Sequence, residues 1–221
     1  MRPMNNLQEL YDVFLRTKPS DGKIKAATTM MIHVSKALNM SSNEEITTEY
    51  FVEIPRSLDE FFYNTPPKAT QDKAILSEMI GRVGPVPELR GLLENLLADE
   101  DENVRQYTLH SLEYSGLTDP RSIFPYIEKY IHSIDPIMTT MAAHLTGKIS
   151  CSEKYQQVLD RILIWYGKGE YAFVQEVVKR MIQLREHGLC REFVLTSDEI
   201  INWCKEKFSD NQQLINSLLN K

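Results

Sequence analysis

One apolar position recurs along the chain at the spacing of a helical hairpin. It is occupied by Ile80, Leu112, Leu145 and Met181, at intervals of 32, 33 and 36 residues. Two short antiparallel helices and their turns take up about this length in repeat proteins. Such a period constrains the fold strongly, because a single hairpin cannot bury its own apolar face and must stack on a neighbour. We therefore expect about four stacked hairpins between residues 68 and 221.

The second helix of each predicted hairpin repeats a pattern of its own. Apolar residues fall at positions i, i+4, i+7 and i+8, a spacing that places them on one side of a helix. The aligned sets are Leu89, Leu93, Leu96 and Leu97; Ile123, Ile127, Tyr130 and Ile131; Tyr155, Leu159, Ile162 and Leu163; and, across a longer connection, Thr196, Ile200, Trp203 and Cys204. Two independent periodicities thus indicate the same repeat register.

Side chains that start helices lie at the boundaries of the predicted hairpins. An Asp before a Pro sets a hydrogen-bond acceptor ahead of a residue whose missing N–H needs no partner, and Ser or Thr three residues before Glu forms a capping box. These patterns occur at Asp119 with Pro120, Asp135 with Pro136, Ser150 with Glu153, and Thr196 with Glu199. The acidic run at 99–102 likewise precedes a helix predicted to begin near Asn103, where negative charge favours the positive end of the helix dipole. We interpret this run as a helix start and not as a metal or catalytic cluster.

The remainder of the chain also carries helical signals. Only nine glycines are present, and the alternating runs that are typical of strands are nearly absent. Helices are predicted over Asn5–Arg16 and Lys23–Asn39, and two shorter ones follow Ser42 and Ser57. We therefore predict an all-α protein in which residues 1–67 form a short irregular helical segment that packs on the hairpins of residues 68–221.

The second hairpin resembles a known repeat family. In DEDENVRQYTLHSLEYSG an acidic turn at Asp101 leads to Val104 and Arg105, an apolar position at Leu112 and a glycine at Gly116. This order of residues is similar to that of HEAT-like repeats, and it is clearest over residues 99–131. The resemblance implies an α-solenoid of stacked helical hairpins. Because HEAT-like arrays serve many unrelated functions, it implies an architecture and no particular activity.

Charge and cysteine content narrow the classes of partner and compartment. The chain has 25 Lys and Arg against 31 Asp and Glu in 221 residues, a formal charge of −6. Such a chain repels phosphate, so a nucleic-acid contact would need a locally basic face. Three cysteines without CxxC spacing indicate reduced thiols, and no apolar run reaches the ~20 residues of a membrane helix. We expect a cytoplasmic protein with no membrane contact.

No residue set matches a catalytic, metal or cofactor site. The five histidines form neither HExxH nor finger spacing with cysteine, and the acidic run lacks the glycine and the spaced Asp residues of a calcium loop. Cys151 is expected at a helix start but has no adjacent histidine to activate its thiol. The glycines of GRVGPVPELRG fit no phosphate-binding loop. We predict no catalytic residue, no metal and no cofactor, and an enzyme is the less favoured class.

Two stretches are candidates for a partner surface, because the second helices of stacked hairpins line the concave side of a solenoid. One is TDPRSIFPYIEKYIHS, and the other is RILIWYGKGEYAFVQEVVKRMIQLR, the only stretch with a clearly basic balance. The candidate residues are Arg121, Glu128, Lys129 and His132 in the first stretch and Arg161, Trp165 and Lys168 in the second. A structural alternative is that Trp165 and Tyr166 fill the junction between hairpins.

These candidates leave two functional classes open. The first is a non-enzymatic module that binds another protein, as an adaptor, a regulator or an immunity protein does. The alternative is a DNA-binding HEAT-like protein such as a helical-repeat alkylpurine DNA glycosylase. It would use Trp165, Asp160 and the basic residues nearby to hold a duplex.

Overall fold

All regular secondary structure in the described part of the chain is α-helical. The structure is a computed structural model that describes residues 7–16, 70–83, 90–190 and 194–219. Its helices are α1 (Leu7–Arg16), α2 (Thr70–Val83), α3 (Arg90–Leu97), α4 (Glu102–Ser111), α5 (Glu113–Thr118), α6 (Pro120–Glu128), α7 (Pro136–Ile149), α8 (Tyr155–Gly167), α9 (Tyr171–Glu186), α10 (Ser197–Lys207) and α11 (Gln212–Leu219). Within these residues no strand occurs, which confirms the all-α prediction. The helices predicted at Lys23–Asn39 and after Ser42 and Ser57 lie outside the described residues.

The chain divides into two compact units, Met1–Ser111 and Leu112–Lys221. The boundary falls inside the helix that the sequence predicts between about Asn103 and Gly116. In the structure this helix is interrupted, because α4 ends at Ser111, Leu112 is a turn residue and α5 begins at Glu113. The pattern does not indicate this interruption, because Leu112 has the spacing of a continuous helix. The predicted division between residues 67 and 68 stays a prediction, since residues 17–69 lie outside the described part.

In the first unit, α2 and α4 pack side by side and α3 packs against both. Leu76, Leu93 and Leu109, one from each helix, are fully buried between them. A hydroxyl pair, Ser77 Oγ and Thr108 Oγ1 at 2.8 Å, links α2 to α4 inside this core. Because each buried hydroxyl has a partner, the pair avoids the cost of a buried polar group without one.

The acidic run at 99–102 closes the turn between α3 and α4. Asp101 Oδ1 accepts the N–H of Asn103 at 2.9 Å, and Asp99 Oδ2 accepts from Lys73 Nζ at 2.7 Å. Arg105 Nη1 donates to the carbonyl oxygens of Asp99 and Glu100, at 2.8 and 3.0 Å. These bonds start α4 and tie the turn to α2. They confirm the interpretation of the run as a helix start.

In the second unit the helices follow the order of the predicted hairpins. The first helices pack in sequence, α5 on α7 and α7 on α9, and the second helices α6 and α8 also contact each other. Helices α10 and α11 pack on α9 and on one another. Leu145 and Met181, at the recurrent position of the first helices, are buried, and so are Ile127, Leu159 and Ile200 at one position of the second helices. Many of the apolar positions found in the sequence therefore lie in the core of this unit, whereas others are only half-buried, among them Tyr130, Ile131, Leu163 and Trp203.

Trp165 lies at the centre of that core. Its side chain is fully buried, and its ring centroid is 5.9 Å from that of Phe124 and 5.2 Å from that of Phe173, both in edge-to-face geometry. Tyr166 contacts Tyr171 and also Phe208, which follows α10. The two residues thus fill the junctions between α8 and its neighbours, as the structural alternative expects.

Gly116 in α5 permits a close approach of helices. A Cβ atom at this position would lie 2.5 Å from Ile123 Cδ1 and 2.5 Å from Ile149 Cγ2. Both isoleucines are fully buried, so neither side chain has free space to move into. The close contact of α5 with α6 and α7 therefore requires a glycine.

Three predictions at the turn after α7 are wrong. Cys151 and Cys190 form a disulfide across 39 residues, which leaves Cys204 as the free thiol. Cys151 lies in the turn and not at a helix start, since α8 begins at Tyr155 without a side-chain cap. The capping box of Ser150 with Glu153 is also absent, because Ser150 Oγ donates to the carbonyl of Gly147 at 2.6 Å.

The disulfide also bears on the prediction that the protein is cytoplasmic. The cytoplasmic prediction depended on reduced cysteines, whereas disulfides persist mainly in oxidising environments. The spacing of Cys151 and Cys190 does not reveal the pair, because the two residues meet only when α7 packs on α9. The compartment of this protein thus stays a prediction.

Candidate functional site

A groove of about 380 Å³ lies between α6 and α8 in the second unit. Each helix presents residues to it at spacings of three and four, which lie on one helix face. The lining consists of Arg121, Phe124 and Pro125 from α6 and of Gln157, Asp160, Arg161 and Ile164 from α8. Both elements are second helices of consecutive predicted hairpins, the helices on which the partner surface is predicted.

Glu128, the last residue of α6, ties the two helices together. Its Oε1 accepts the indole N–H of Trp165 at 2.6 Å and pairs with the guanidinium of Arg161. The Glu128 and Arg161 side chains are 28% and 25% exposed, so both are partly shielded from water. These three predicted partner-binding residues are therefore brought together, but they bond to one another. Trp165 is fully buried and has no surface to offer a partner.

Arg161 is held in a defined position by its neighbours. Its guanidinium carbon lies 5.5 Å from the ring centroid of Phe124 and 6.0 Å from that of Trp165, within the range of cation–π contacts. A terminal nitrogen pairs with Glu128, whereas Nε is buried without a hydrogen-bond partner. A buried N–H without an acceptor costs free energy in the folded state.

A second buried polar atom of the lining residues also lacks a partner. Gln157 Oε1 makes no hydrogen bond within the described residues. Pro125 lies inside α6 and has no N–H, so it cannot donate to the carbonyl of Arg121, four residues earlier. Gln157 and Arg161 are about one turn apart on α8. Because Gln157 Oε1 and Arg161 Nε are both closed to solvent, they belong to the packing of α8 and are not open binding positions.

The charges in the groove nearly balance. Arg161 is paired with Glu128, and Asp160 accepts from Gln156 Nε2 at 2.9 Å. The side chain of Arg121 is exposed and makes no hydrogen bond or ion pair within the described residues. Arg121 is thus the cation of the lining that no described carboxylate pairs with.

The other predicted residues lie outside the groove lining. Lys129 Nζ stands 5.7 Å from the ring centroid of Tyr126. His132 Nε2 is 2.9 Å from Glu170 Oε1, with the histidine side chain 76% exposed. Lys168, directly after α8, is exposed. The structure therefore brings two of the predicted residues, both arginines, to the groove wall and leaves these three elsewhere.

Sequence reasoning did not select four residues of the lining, namely Phe124, Pro125, Gln157 and Ile164. Pro125 is exposed, and Ile164 is 46% exposed. Both are apolar residues on the otherwise polar side of a helix, each within one turn of a selected arginine. The sequence signal that could have selected this face is Pro125, a proline inside a helical pattern.

A second cavity of about 380 Å³ lies beside Arg185 and the start of α10. Burial lowers the pKa of Arg185 to about 10, and its guanidinium donates to the carbonyls of Ser150 and Met181, both at 2.9 Å. Arg185 thus holds the turn after α7 against α9. Cys190 and Thr196 also line this cavity, but residues 191–193 next to it lie outside the described residues, and we assign it no ligand.

No three or more His, Cys, Asp or Glu side chains of the described residues are grouped so as to hold a metal ion. Among the described helices, none combines the length and the apolar character that crossing a membrane requires. No protein-family model matches the chain, and no curated protein or solved structure shows significant similarity to it. Function is therefore inferred from the geometry of the groove.

Proposed function

We propose that the chain is a HEAT-like α-solenoid with a non-enzymatic role, in which the second helices of its hairpins bind another protein. The observation that carries this proposal is the groove between α6 and α8, which two consecutive hairpins build together. In helical-repeat proteins each hairpin contacts its neighbours, and the aligned helices form an extended binding surface. The consecutive packing of α5, α7 and α9 supports this architecture for the second unit.

The charges favour a protein over a nucleic acid as the partner. The whole chain carries −6, and Arg161 is already paired with Glu128. Nucleic acids are bound mainly through cations that replace counterions at the phosphates. Trp165, on which the DNA glycosylase alternative depends, is fully buried, and Asp160 is engaged by Gln156. These observations support an adaptor, regulator or immunity-type protein over the DNA-binding alternative.

Affinity capture from the native cells, combined with a DNA-binding assay, tests the proposal. The tagged chain serves as bait, and the variant Val177→Asp, which puts a charge at a fully buried position, serves as the misfolded control. We expect the wild type to retain one stoichiometric protein that the control does not retain. The wild type should also bind no duplex DNA at about 150 mM salt.

The opposite outcome would select the alternative function. Duplex DNA bound with an affinity that falls on the order of 10³-fold between about 50 and 200 mM salt, without a captured protein, would refute the proposal.

A further inference from the structure

We propose that Cys190 is a site of thiol–disulfide exchange, at which a low-molecular-weight thiol opens the bond to Cys151 reversibly while the second unit stays folded. The inference goes beyond the proposed function, because it concerns a chemical modification and no partner surface. Three observations carry it. The two cysteines are unequally exposed, the buried one has partners as a free thiol, and other contacts hold the same elements together.

The difference in exposure decides which sulfur is attacked. Cys151 is 7% exposed, whereas Cys190 is half-buried and lines the cavity beside Arg185. The rate of exchange at a disulfide depends on how well an external thiolate reaches each sulfur. The cavity, about 380 Å³ in volume, gives a small thiol room to approach. Cys190 is therefore the attacked residue, and Cys151 supplies the leaving sulfur.

The exchange needs no reactant other than the thiol. A thiolate R–S⁻ attacks Cys190 Sγ and forms the mixed disulfide R–S–S–Cys190. The bond to Cys151 breaks, and its electron pair stays on Cys151 Sγ, which takes up a proton. A second thiolate then attacks the sulfur of the attached R group, leaves as R–S–S–R, and releases the sulfur of Cys190, which also takes up a proton. Two thiols are thus oxidised to one disulfide, while the protein disulfide is reduced to two thiols.

The turn after α7 accommodates Cys151 in its reduced form. Cys151 Sγ lies 3.7 Å from the carbonyl oxygen of Gly147, an acceptor for the S–H of the free thiol. Arg185 Nη1 lies 4.0 Å from the same sulfur, and a cation at this distance favours the thiolate as it leaves. The leaving sulfur therefore has a partner both as a thiolate and as a thiol.

Contacts other than the disulfide hold the turn after α7 against α9. Arg185 donates to the carbonyls of Ser150 and Met181, both at 2.9 Å. Helix α7 also lies so close to α9 that a Cβ atom at Gly147 would be 2.9 Å from Arg180 Cβ. The disulfide is thus one link among several between these elements. Its reduction should lower the stability of the second unit without unfolding it.

Reaction of the oxidised wild-type chain with glutathione tests the site of attack. The reaction runs at about pH 8, is quenched with acid after short times, and is mapped by peptide mass spectrometry. We expect glutathione on Cys190 and a free thiol at Cys151. The fully reduced chain should keep the far-UV circular dichroism of the oxidised chain, and oxidised glutathione should restore the bond between Cys151 and Cys190.

Two matched variants with one thiol each measure the reactivity of the two cysteines separately. Cys151→Ser/Cys204→Ala leaves Cys190 as the single thiol, and Cys190→Ser/Cys204→Ala leaves Cys151. Cys190 should react at least about tenfold faster than Cys151 with dithiobis(nitrobenzoate), because it is the more accessible thiol. Unfolding both variants in urea should remove most of this difference, since the unequal exposure exists in the folded state alone.

Three results would each overturn the inference. They are glutathione on Cys151 or on neither cysteine, a reaction of Cys151 as fast as that of Cys190 in the folded variants, and a loss of helical signal when the wild type is reduced. The last result would make the disulfide a requirement of the fold. None of these outcomes bears on the proposed function, which the captured partner tests independently.

Discussion

Replacement of Glu128 by alanine tests how much the link between α6 and α8 contributes to stability. In the wild type one carboxylate oxygen of Glu128 accepts the indole N–H of Trp165 at 2.6 Å and pairs with Arg161. Alanine would remove the acceptor of this indole N–H, whose side chain is 0% exposed in the wild type. The folded state therefore loses a charge-assisted hydrogen bond and a salt bridge at a largely buried position.

The size of the loss follows from the two interactions. A hydrogen bond to a charged group contributes about 1.5 to 3 kcal/mol, and a buried donor left unsatisfied costs a similar amount. The pair with Arg161 contributes less, up to about 1 kcal/mol, because both side chains are about a quarter exposed. We expect Glu128→Ala to lower the free energy of unfolding by about 2 to 4 kcal/mol.

Urea denaturation, followed by far-UV circular dichroism and tryptophan fluorescence, measures this loss. Glu128→Gln keeps an oxygen for Trp165 but removes the charge, so it should cost less, about 1 to 2 kcal/mol. The control Glu206→Ala removes a carboxylate that is 71% exposed and should stay within about 0.5 kcal/mol of the wild type. A loss for Glu128→Ala no larger than that of the control would refute the reasoning, since it would mean that the indole finds another acceptor or that the bond contributes nothing.

Three other predictions follow from the second unit. The double variant Cys151→Ala/Cys190→Ala should lose about 4 kcal/mol of unfolding free energy, because the disulfide closes a loop of 39 residues. Equal urea midpoints for the oxidised and the reduced wild type would contradict this prediction. Burial raises the pKa of the Cys204 thiol from 9.0 to about 12, so this thiol loses its proton at a lower pH in the unfolded state than in the folded state. The free energy of unfolding should therefore fall by about 1.4 kcal/mol per pH unit above pH 9. Cys204→Ala, compared with its parent in the double-variant background so that no disulfide exchange occurs, should make the slope less negative by this amount in urea titrations between about pH 9 and 10. Asp135→Ala should lower the free energy of unfolding by about 1 kcal/mol in thermal denaturation, since Asp135 caps α7 by accepting the N–H of Ile137 at 3.0 Å. Asp135→Asn keeps an acceptor oxygen and should retain most of that stability.

The hairpin boundaries were predictable because the signals that set them are local. Asp135 accepts the N–H groups at the start of α7, and Thr196 forms its capping box with Glu199, as the sequence patterns indicate. The box at Ser150 has the same local spacing but does not form. Its hydroxyl is buried and accepts from Arg185 Nη1 at 3.2 Å, a contact with a residue 35 positions later. Packing at that turn thus overrides the local preference.

The candidate site was predictable only in part. Arg121 and Arg161 were selected because they lie on second helices, but their convergence on one groove depends on the contact of α6 with α8. The hydrogen bond from Trp165 to Glu128 joins residues 37 positions apart, and the local sequence pattern does not indicate it. Gln157 was missed because a polar residue on a helix surface has nothing to distinguish it until its oxygen is found to be buried without a partner.

The sequence by itself determined that the described chain is helical, where several helices begin, and which face of each helix is apolar. These properties arise from interactions within one or two helical turns, which the order of residues specifies directly. The tertiary structure alone decided that Cys151 pairs with Cys190, that Glu128 accepts the indole N–H of Trp165, and that the Arg121 side chain pairs with none of the described residues. Hydrogen bonds, ion pairs and disulfides form only between atoms a few ångströms apart. Residues 33 to 39 positions apart come that close only when the helices that carry them pack together.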